Sequence, residues 1–312
     1  MLDTGKRSYQ LAGFIFALAG AILFSTKAIL VKLAFMHTGI DAVSLLALRM
    51  AFSLPFYLVA AWLGSKQENK THLSYQQIGW IITLGIFGYY LSSLFDFIGL
   101  QYVSAGLERL ILFLYPTFAV LLNTFLFKVA LKRIQLIALA LSYAGIGIAY
   151  FAEIQTDFAI PGFYYGSFMI FLCAITYSFY LVGTGKLVQA AGATRYTAYA
   201  MLAASAGVFI HFLFTRSISN IHFSPTLLYY AIALALIATV IPSFLMSVGM
   251  KRIGSNNVSI ITSIGPVSTI IQAYFLLGEK ILFLQIAGTT LVIAGVVLIG
   301  WQTQNNQKDT GI

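Results

Sequence analysis

Ten stretches of about 20 largely apolar residues succeed one another along this chain. They fall at roughly 11–35, 42–63, 78–99, 105–127, 134–152, 162–183, 196–214, 227–248, 256–277 and 282–301. Each is long enough to cross the hydrocarbon of a bilayer as a helix. No water reaches the backbone there, so only helices and closed barrels can span it. The runs do not alternate with period two, which excludes a β-barrel. The connections are short, the longest about a dozen residues. No segment is left to fold as a soluble domain. The expected fold is an all-α membrane protein of ten transmembrane helices.

Charge supports this reading and orients it. Only 9% of the 312 residues are charged, against about 25% in a soluble domain. The net charge of +9 does not imply nucleic acid, because the basic residues lie in short segments between apolar runs. With the amino terminus inside, inner segments collect Lys6, Arg7, Lys66, Lys70, Lys128, Lys132, Arg133, Lys186, Arg195, Lys251, Arg252 and Lys308. Outer segments keep Arg216 and Lys280. That asymmetry predicts a multi-pass protein of the cell (inner) membrane with both termini cytoplasmic. The first run is too long for a signal-peptide core and reads as a retained span. Cys173 is the one cysteine, so no intrachain disulfide forms, and no Cys/His spacing suits a metal. No cofactor is expected.

The two halves look related. An offset of 150 lays Pro116 on Pro266, Gly145 on Gly295 and Gly99 on Gly249; an offset of 153 lays Ser25 on Ser178 and Gly13 on Gly166. Five spans per half place the halves in opposite orientation. The expected plan is therefore two inverted five-helix repeats, 11–152 and 162–301, with a solute site between them near midplane.

Particular motifs recur in order. The first run reads Gly20-Ala-Ile-Leu-Phe-Ser-Thr-Lys27-Ala-Ile-Leu-Val-Lys32, and the second carries Leu48-Arg49. Leu114-Tyr115-Pro116-Thr117 stands in the fourth. Gly265-Pro266, Leu277-Gly278-Glu279-Lys280 and Ala294-Gly295-Val-Val-Leu follow in the last two. In these the chain resembles the EamA family of the drug/metabolite transporter superfamily, from about residue 11 to 301. The resemblance implies ten helices, alternating access and movement of small organic solutes, often export of amino acids or other metabolites. The chain departs from the family pattern in two places. Phe127-Lys128-Val129 stands where the first half would carry a Gly-Glu pair, and Lys27 replaces a residue that is usually neutral.

Ionisable residues within apolar runs single out a candidate site. A charge near a span's centre costs roughly 2.5–3.5 kcal/mol on insertion scales unless it is paired or protonated. Lys27 lies roughly 24 Å along its helix from the inner face, and Arg49 about two turns below the outer face. Asp96 nears the outer end of the third run, while Glu108 and Arg109 begin the fourth. The counterparts of Lys27, Asp96, Glu108 and Arg109 in the second half are Tyr180, Met246, Val258 and Ser259. The charges are thus confined to one half, which favours function over architecture. Helical spacing aligns Gly85, Tyr89, Ser92, Asp96 and Gly99 on one face, and Ser255, Ser259, Thr262, Pro266 and Thr269 on another. Pro116 and Pro266, inside their runs, would free the carbonyls of Leu112 and Thr262.

The expected solute-binding residues are Lys27, Asp96, Arg49, Tyr89, Ser92, Tyr180, Thr262 and Ser259. Lys27 binds an anionic group of the solute; Asp96 is its partner. Asp96 and Glu108 are the candidates for proton coupling. Plainer readings stand beside these: Lys27 simply neutralising Asp96, Arg49 and Lys32 snorkelling to the interface, and the hydroxyl residues packing helices. Glu108 and Arg109 project about 100° apart, so one would face a cavity and the other a neighbouring helix or the interface.

The function expected is a secondary transporter, an exporter of amino acids or organic anions by alternating access. A channel-like facilitator is the alternative, though channels build symmetric rings and here the charge is mixed and one-sided. An intramembrane enzyme is disfavoured: Ser25 and Lys27 are two apart on a helix and point apart, and no zinc motif is present. The expected partners are a small-molecule solute and the lipid bilayer, not nucleic acid; a homodimer fits the same apolar surface.

Overall fold

The computed structural model describes residues 2–67, 73–128, 133–157, 161–253, 258, 261–262 and 264–309. Every regular element among them is helical. In chain order these are α1 (Leu2–Thr38), α2 (Ala42–Gln67), α3 (Tyr75–Gly85), α4 (Ser92–Gly99), α5 (Ala105–Leu112), α6 (Tyr115–Phe127) and α7 (Arg133–Asp157). Then come α8 (Phe163–Ala191), α9 (Ala193–Thr215), α10 (Pro225–Ala235), α11 (Ile241–Ile253), α12 (Gly265–Leu277) and α13 (Phe283–Asp309). Among the described residues, seven helical runs are long and apolar enough to cross a membrane. Three shorter apolar helices, Leu136–Ala152, Gly265–Leu277 and Phe283–Gly295, occupy the remaining apolar stretches.

The offset of 150 reappears as local geometry. A π-helical turn, Ile86–Leu91, joins α3 to α4, and another, Leu236–Val240, joins α10 to α11. The two runs they interrupt are Tyr75–Gly99 and Pro225–Gly249, residue for residue 150 apart. Ser74 caps the first by accepting from Gln77 N at 3.2 Å, and Ser224 caps the second by accepting from Leu227 N at 3.1 Å. The offset of 153 holds at the amino ends, where Gly39 and Gly192 follow α1 and α8 with φ of 64° and 78°.

The prolines behave differently from the sequence expectation. Neither Pro116 nor Pro266 kinks a continuous helix. The chain breaks first, at Phe113–Leu114 and at Ile264, and each proline sits in the opening turn of a new helix. A proline there forfeits no hydrogen bond, because the first N–H groups of a helix have no intrahelical partner.

The same correspondence sets Lys128 opposite the glycine of the second half's Gly-Glu pair. Gly278 closes α12 in the left-handed region (φ 68°), and Lys128, 150 residues earlier, closes α6 there too (φ 53°). A side chain in that conformation costs roughly 1–2 kcal/mol. Lys128→Gly is therefore expected to stabilise the protein by about 0.5–1 kcal/mol after the added freedom of the unfolded chain. A thermal unfolding scan in detergent checks it; a lower midpoint would mean that the lysine side chain outweighs its strain.

Two compact units draw on both halves of the chain. One comprises Met1–Ile29, Ser104–Pro161 and Ile241–Ile312; the other comprises Leu30–Val103 and Gly162–Val240. In the first, α7 lies along α13 at near-backbone contact: a Cβ on Gly145 would stand 2.5 Å from the Gly288 carbonyl. The amino half of α1 packs on α11, with Ala17 against Gly249. In the second unit, α2 and α3 pack on α9, and α4 packs on α8. Gly85 there abuts the Ala200 backbone, and Gly99 abuts Ile170.

Asp41 opens α2 in the second unit. It accepts from Val43 N at 3.0 Å and Ser44 N at 3.2 Å, and Arg216 Nε reaches it at 3.0 Å. Partial burial pushes its carboxyl up, but the bonds from Ser44 and Arg216 outweigh that and hold it below its ordinary value. Its stabilisation is thus complete above the unfolded-state pKa of about 3.9 and is lost as pH falls through the lower folded value. Asp41→Ala should cost about 1 kcal/mol at neutral pH, mostly through the lost cap. The same variant should flatten this part of the acid-unfolding curve.

Candidate functional site

Arg49, Asp96, Glu108 and Arg109 are buried and Lys27 is partly so; Lys27 stands with Glu108 and Arg109 in the first unit rather than with its expected partner Asp96, which lies with Arg49 in the second. In the first unit, α5 carries Glu108 and Arg109 under a cap at each end of its first turn. Ser104 accepts from Leu107 N at 3.0 Å. Glu279, delivered by the left-handed turn at Gly278, accepts from Ala105 N at 2.9 Å and Gly106 N at 3.4 Å. A carboxylate suits this place, where the unpaired amides and the helix dipole are both positive.

One turn further on, Glu108 and Arg109 both turn to α1. Glu108 is fully buried and lies 4.0 Å from Lys27 Nζ; the Lys27 side chain is 16% exposed. Arg109 donates through Nε to Thr269 Oγ1 at 3.0 Å and through Nη2 to the Phe24 carbonyl at 3.0 Å. Thr269 in turn donates to the Ser25 carbonyl at 3.5 Å, and Ser25 donates to the Ala21 carbonyl at 2.9 Å and the Gly265 carbonyl at 3.3 Å. α1, α5 and α12 are so tied by buried polar bonds, which hold strongly where water is excluded. The expected division, one of the pair facing a neighbour and the other not, does not hold. Two long side chains span the 100° between them, and both meet the same helix.

Tyr115 opens α6 beside this group and hydrogen-bonds Thr262. Ser259, expected on the same face, lies outside the described residues.

In the second unit the centre is Asp96, with no solvent exposure, beside Arg49, 3% exposed. Arg49 does not snorkel: burial in the bundle leaves it no route to the interface. Its Nη2 donates to Ser93 Oγ at 3.2 Å, its guanidinium lies over the Phe97 ring at 5.2 Å, and the Asp96 carboxylate attracts it. Lys32 is also drawn inward, donating to the Val103 carbonyl at 2.5 Å.

Tyr89, within the π turn, bonds the Tyr180 hydroxyl at 2.9 Å. Tyr177 stacks on Tyr180 with ring centroids 5.8 Å apart, and Tyr196 lies tilted at 6.2 Å. Ser92 bonds Cys173 at 3.2 Å. The polar stripe expected on the third span is thus partly a packing seam, since Ser92 and Gly99 both meet α8.

Sequence reasoning overlooked Ser93, Tyr196 and the capping role of Glu279. Ser93 had a visible signal, a hydroxyl three residues before Asp96. Glu279 had none, because its partners lie 174 and 173 residues away; Tyr196 meets Thr184 and Tyr180 across the α8–α9 turn, which helical spacing within one run does not relate. Among the described residues no group of three or more His, Cys, Asp or Glu could hold a metal ion.

Comparison with known proteins adds the following. The model of the EamA-like transporter family matches residues 11–151 and again 164–301. The uncharacterized transporter YcbK of Bacillus subtilis (strain 168) is 31% identical over 288 residues, covering 89% of each chain. An uncharacterized transporter of Archaeoglobus fulgidus is 22% identical over 283 residues, covering 90% of this chain and 93% of that one. A solved crystal structure, 17% identical, matches with a TM-score of 0.66 over 96% of this chain and 99% of that one. At that identity it speaks for the fold alone.

Proposed function

Because the chain belongs to the EamA-like transporter family, we propose that it is a secondary carrier of small organic anions or zwitterions, amino acids among them. It works by alternating access in the cell (inner) membrane. Ten spans form two inverted five-helix repeats, both termini are cytoplasmic, and net movement is export when the solute is more concentrated inside. Lys27 takes the anionic group of the solute. Asp96, Arg49, Tyr89, Ser92, Tyr180, Thr262 and Ser259 complete the site, and Asp96 and Glu108 are its proton-accepting groups. The recurrence of the π turns and serine caps at an offset of 150 supports the repeat plan.

One observation carries the choice of solute. Lys27, a partly exposed cation in an otherwise apolar stretch of α1, stands 4.0 Å from Glu108. A charge-assisted hydrogen bond closes at about 2.7–2.9 Å. A solute carboxylate that met the ammonium at that distance would lie nearer to it than Glu108 does.

The test is flux of labelled amino acids and organic anions into proteoliposomes, with and without an imposed proton gradient. Saturable flux of one class is the expected result. Flux that rises linearly with concentration would replace the carrier by a pore.

A further inference from the structure

Lys32, Phe35 and Met36 follow one another at i, i+3 and i+4, so they share one face of α1. That face fronts a cavity of about 450 Å³ within the second unit. Ile40, beyond the end of α1, and Leu100 and Gln101, in the turn after α4, complete its walls. The turn is fixed by its backbone: Gln101 N donates to the Ile98 carbonyl at 3.2 Å and Tyr102 N to the Gly99 carbonyl at 2.9 Å. The cavity thus stands where two membrane-crossing runs, Tyr9–Thr38 and Tyr75–Gly99, both end. That is the level at which hydrocarbon gives way to lipid head groups.

The walls are apolar apart from two groups. The Lys32 ammonium donates to the Val103 carbonyl at 2.5 Å. Val103 lies beyond Gly99, so this bond holds the ammonium at the head-group level, with its stem among Phe35 and Met36. Gln101 is exposed, and its amide offers both donors and an acceptor. Asp41, which follows Ile40, is turned to the α2 amides and to Arg216. Met36 is 65% exposed on a helix that crosses the bilayer. One wall of the cavity is therefore continuous with the surface that lipid chains cover.

We propose that this cavity seats an anionic phospholipid, its phosphate on Lys32 and Gln101 and an acyl chain along Phe35 and Met36. Basic pockets among membrane helices suit such head groups. A water-soluble anion would meet the ammonium and the amide but leave the apolar walls unused. A head group with its own ammonium would set a second positive charge beside Lys32, which repels it. Phosphatidylglycerol has the phosphate without that charge, and its hydroxyls can donate to the Gln101 side-chain oxygen. The assignment concerns the lipid around the protein and holds whether or not the carrier reading does.

The experiment places full-length protein carrying Met36→Trp in phosphatidylcholine bilayers. These contain rising fractions of phosphatidylglycerol or phosphatidylethanolamine with brominated acyl chains, which quench a neighbouring indole. The parent protein, with Trp62, Trp80 and Trp301, supplies the background. The added indole should be half-quenched at a roughly fivefold lower fraction of phosphatidylglycerol, the preference that one lysine near head groups gives. Lys32→Arg in the same protein should keep the preference, Lys32→Met should lose it, and Gln101→Leu should reduce it. Equal quenching by the two lipids, or a preference that survives Lys32→Met, overturns the proposal. If Lys32→Met does not fold, Gln101→Leu decides, and an unchanged preference there overturns it. Excess glycerol phosphate in the water should leave the quenching as it was. Relief of quenching would make the occupant a free anion and overturn the lipid assignment.

Discussion

Lys27→Met is expected to reduce solute flux to background while the protein still reaches the membrane. The substitution keeps the length of the side chain and removes its charge. It also leaves Glu108 buried beside methionine instead of an ammonium. Removing one partner of a buried ion pair costs roughly 3–5 kcal/mol when the other stays charged. Lys27→Met should therefore unfold at a lower temperature than wild type in a thermal scan in detergent, and adding Glu108→Gln, which removes the buried charge, should recover that stability without recovering flux. Normal flux in Lys27→Met would remove this lysine from the transport path. Flux that returned with stability in the double variant would make it a structural residue.

Gly145→Val should prevent formation of a stable fold. The added Cβ would stand 2.5 Å from the Gly288 carbonyl and 2.9 Å from Leu291 Cβ, and a Cβ on Gly295 would stand 2.6 Å from the Ala138 carbonyl. Overpacking in a core that can adjust costs roughly 1–3 kcal/mol. Here the obstruction is backbone on two rigid helices, so the cost should exceed the top of that range. Size-exclusion profiles and thermal scans in detergent measure it. Gly147→Val is the control, two residues along the same helix, where nothing lies within 4 Å of the new atom. It should behave like wild type. A monodisperse, stable Gly145→Val would mean that α7 and α13 can separate without loss of the fold.

The apolar runs made the helices legible, since a stretch of that length and composition has few other outcomes. The repeat was legible through Pro116 and Pro266, and through Gly39 and Gly192 once the offsets were known. The π turns were not legible, because their extra residue changes the helical phase without changing the composition. The stripe from Gly85 to Gly99 assumed a uniform 3.6 residues per turn and passed straight through one of them. Pairing of charges was legible only as a demand. That Lys27 should need a carboxylate follows from the cost of a lone charge, but helix periodicity cannot say that Glu108 stands 4.0 Å away. The Glu279 cap on α5 lay beyond reach for the same reason: its acceptor and donors are 174 and 173 residues apart in the chain.

The paired π turns also separate what the two repeats share from what sets them apart. Ile86–Leu91 and Leu236–Val240 occupy equivalent places in the two regions that match the same family model. Lys27, Asp96, Glu108 and Arg109 stand in one region, opposite Tyr180, Met246, Val258 and Ser259 in the other. The helical irregularity is common property of the repeat, whereas these four charges belong to one half.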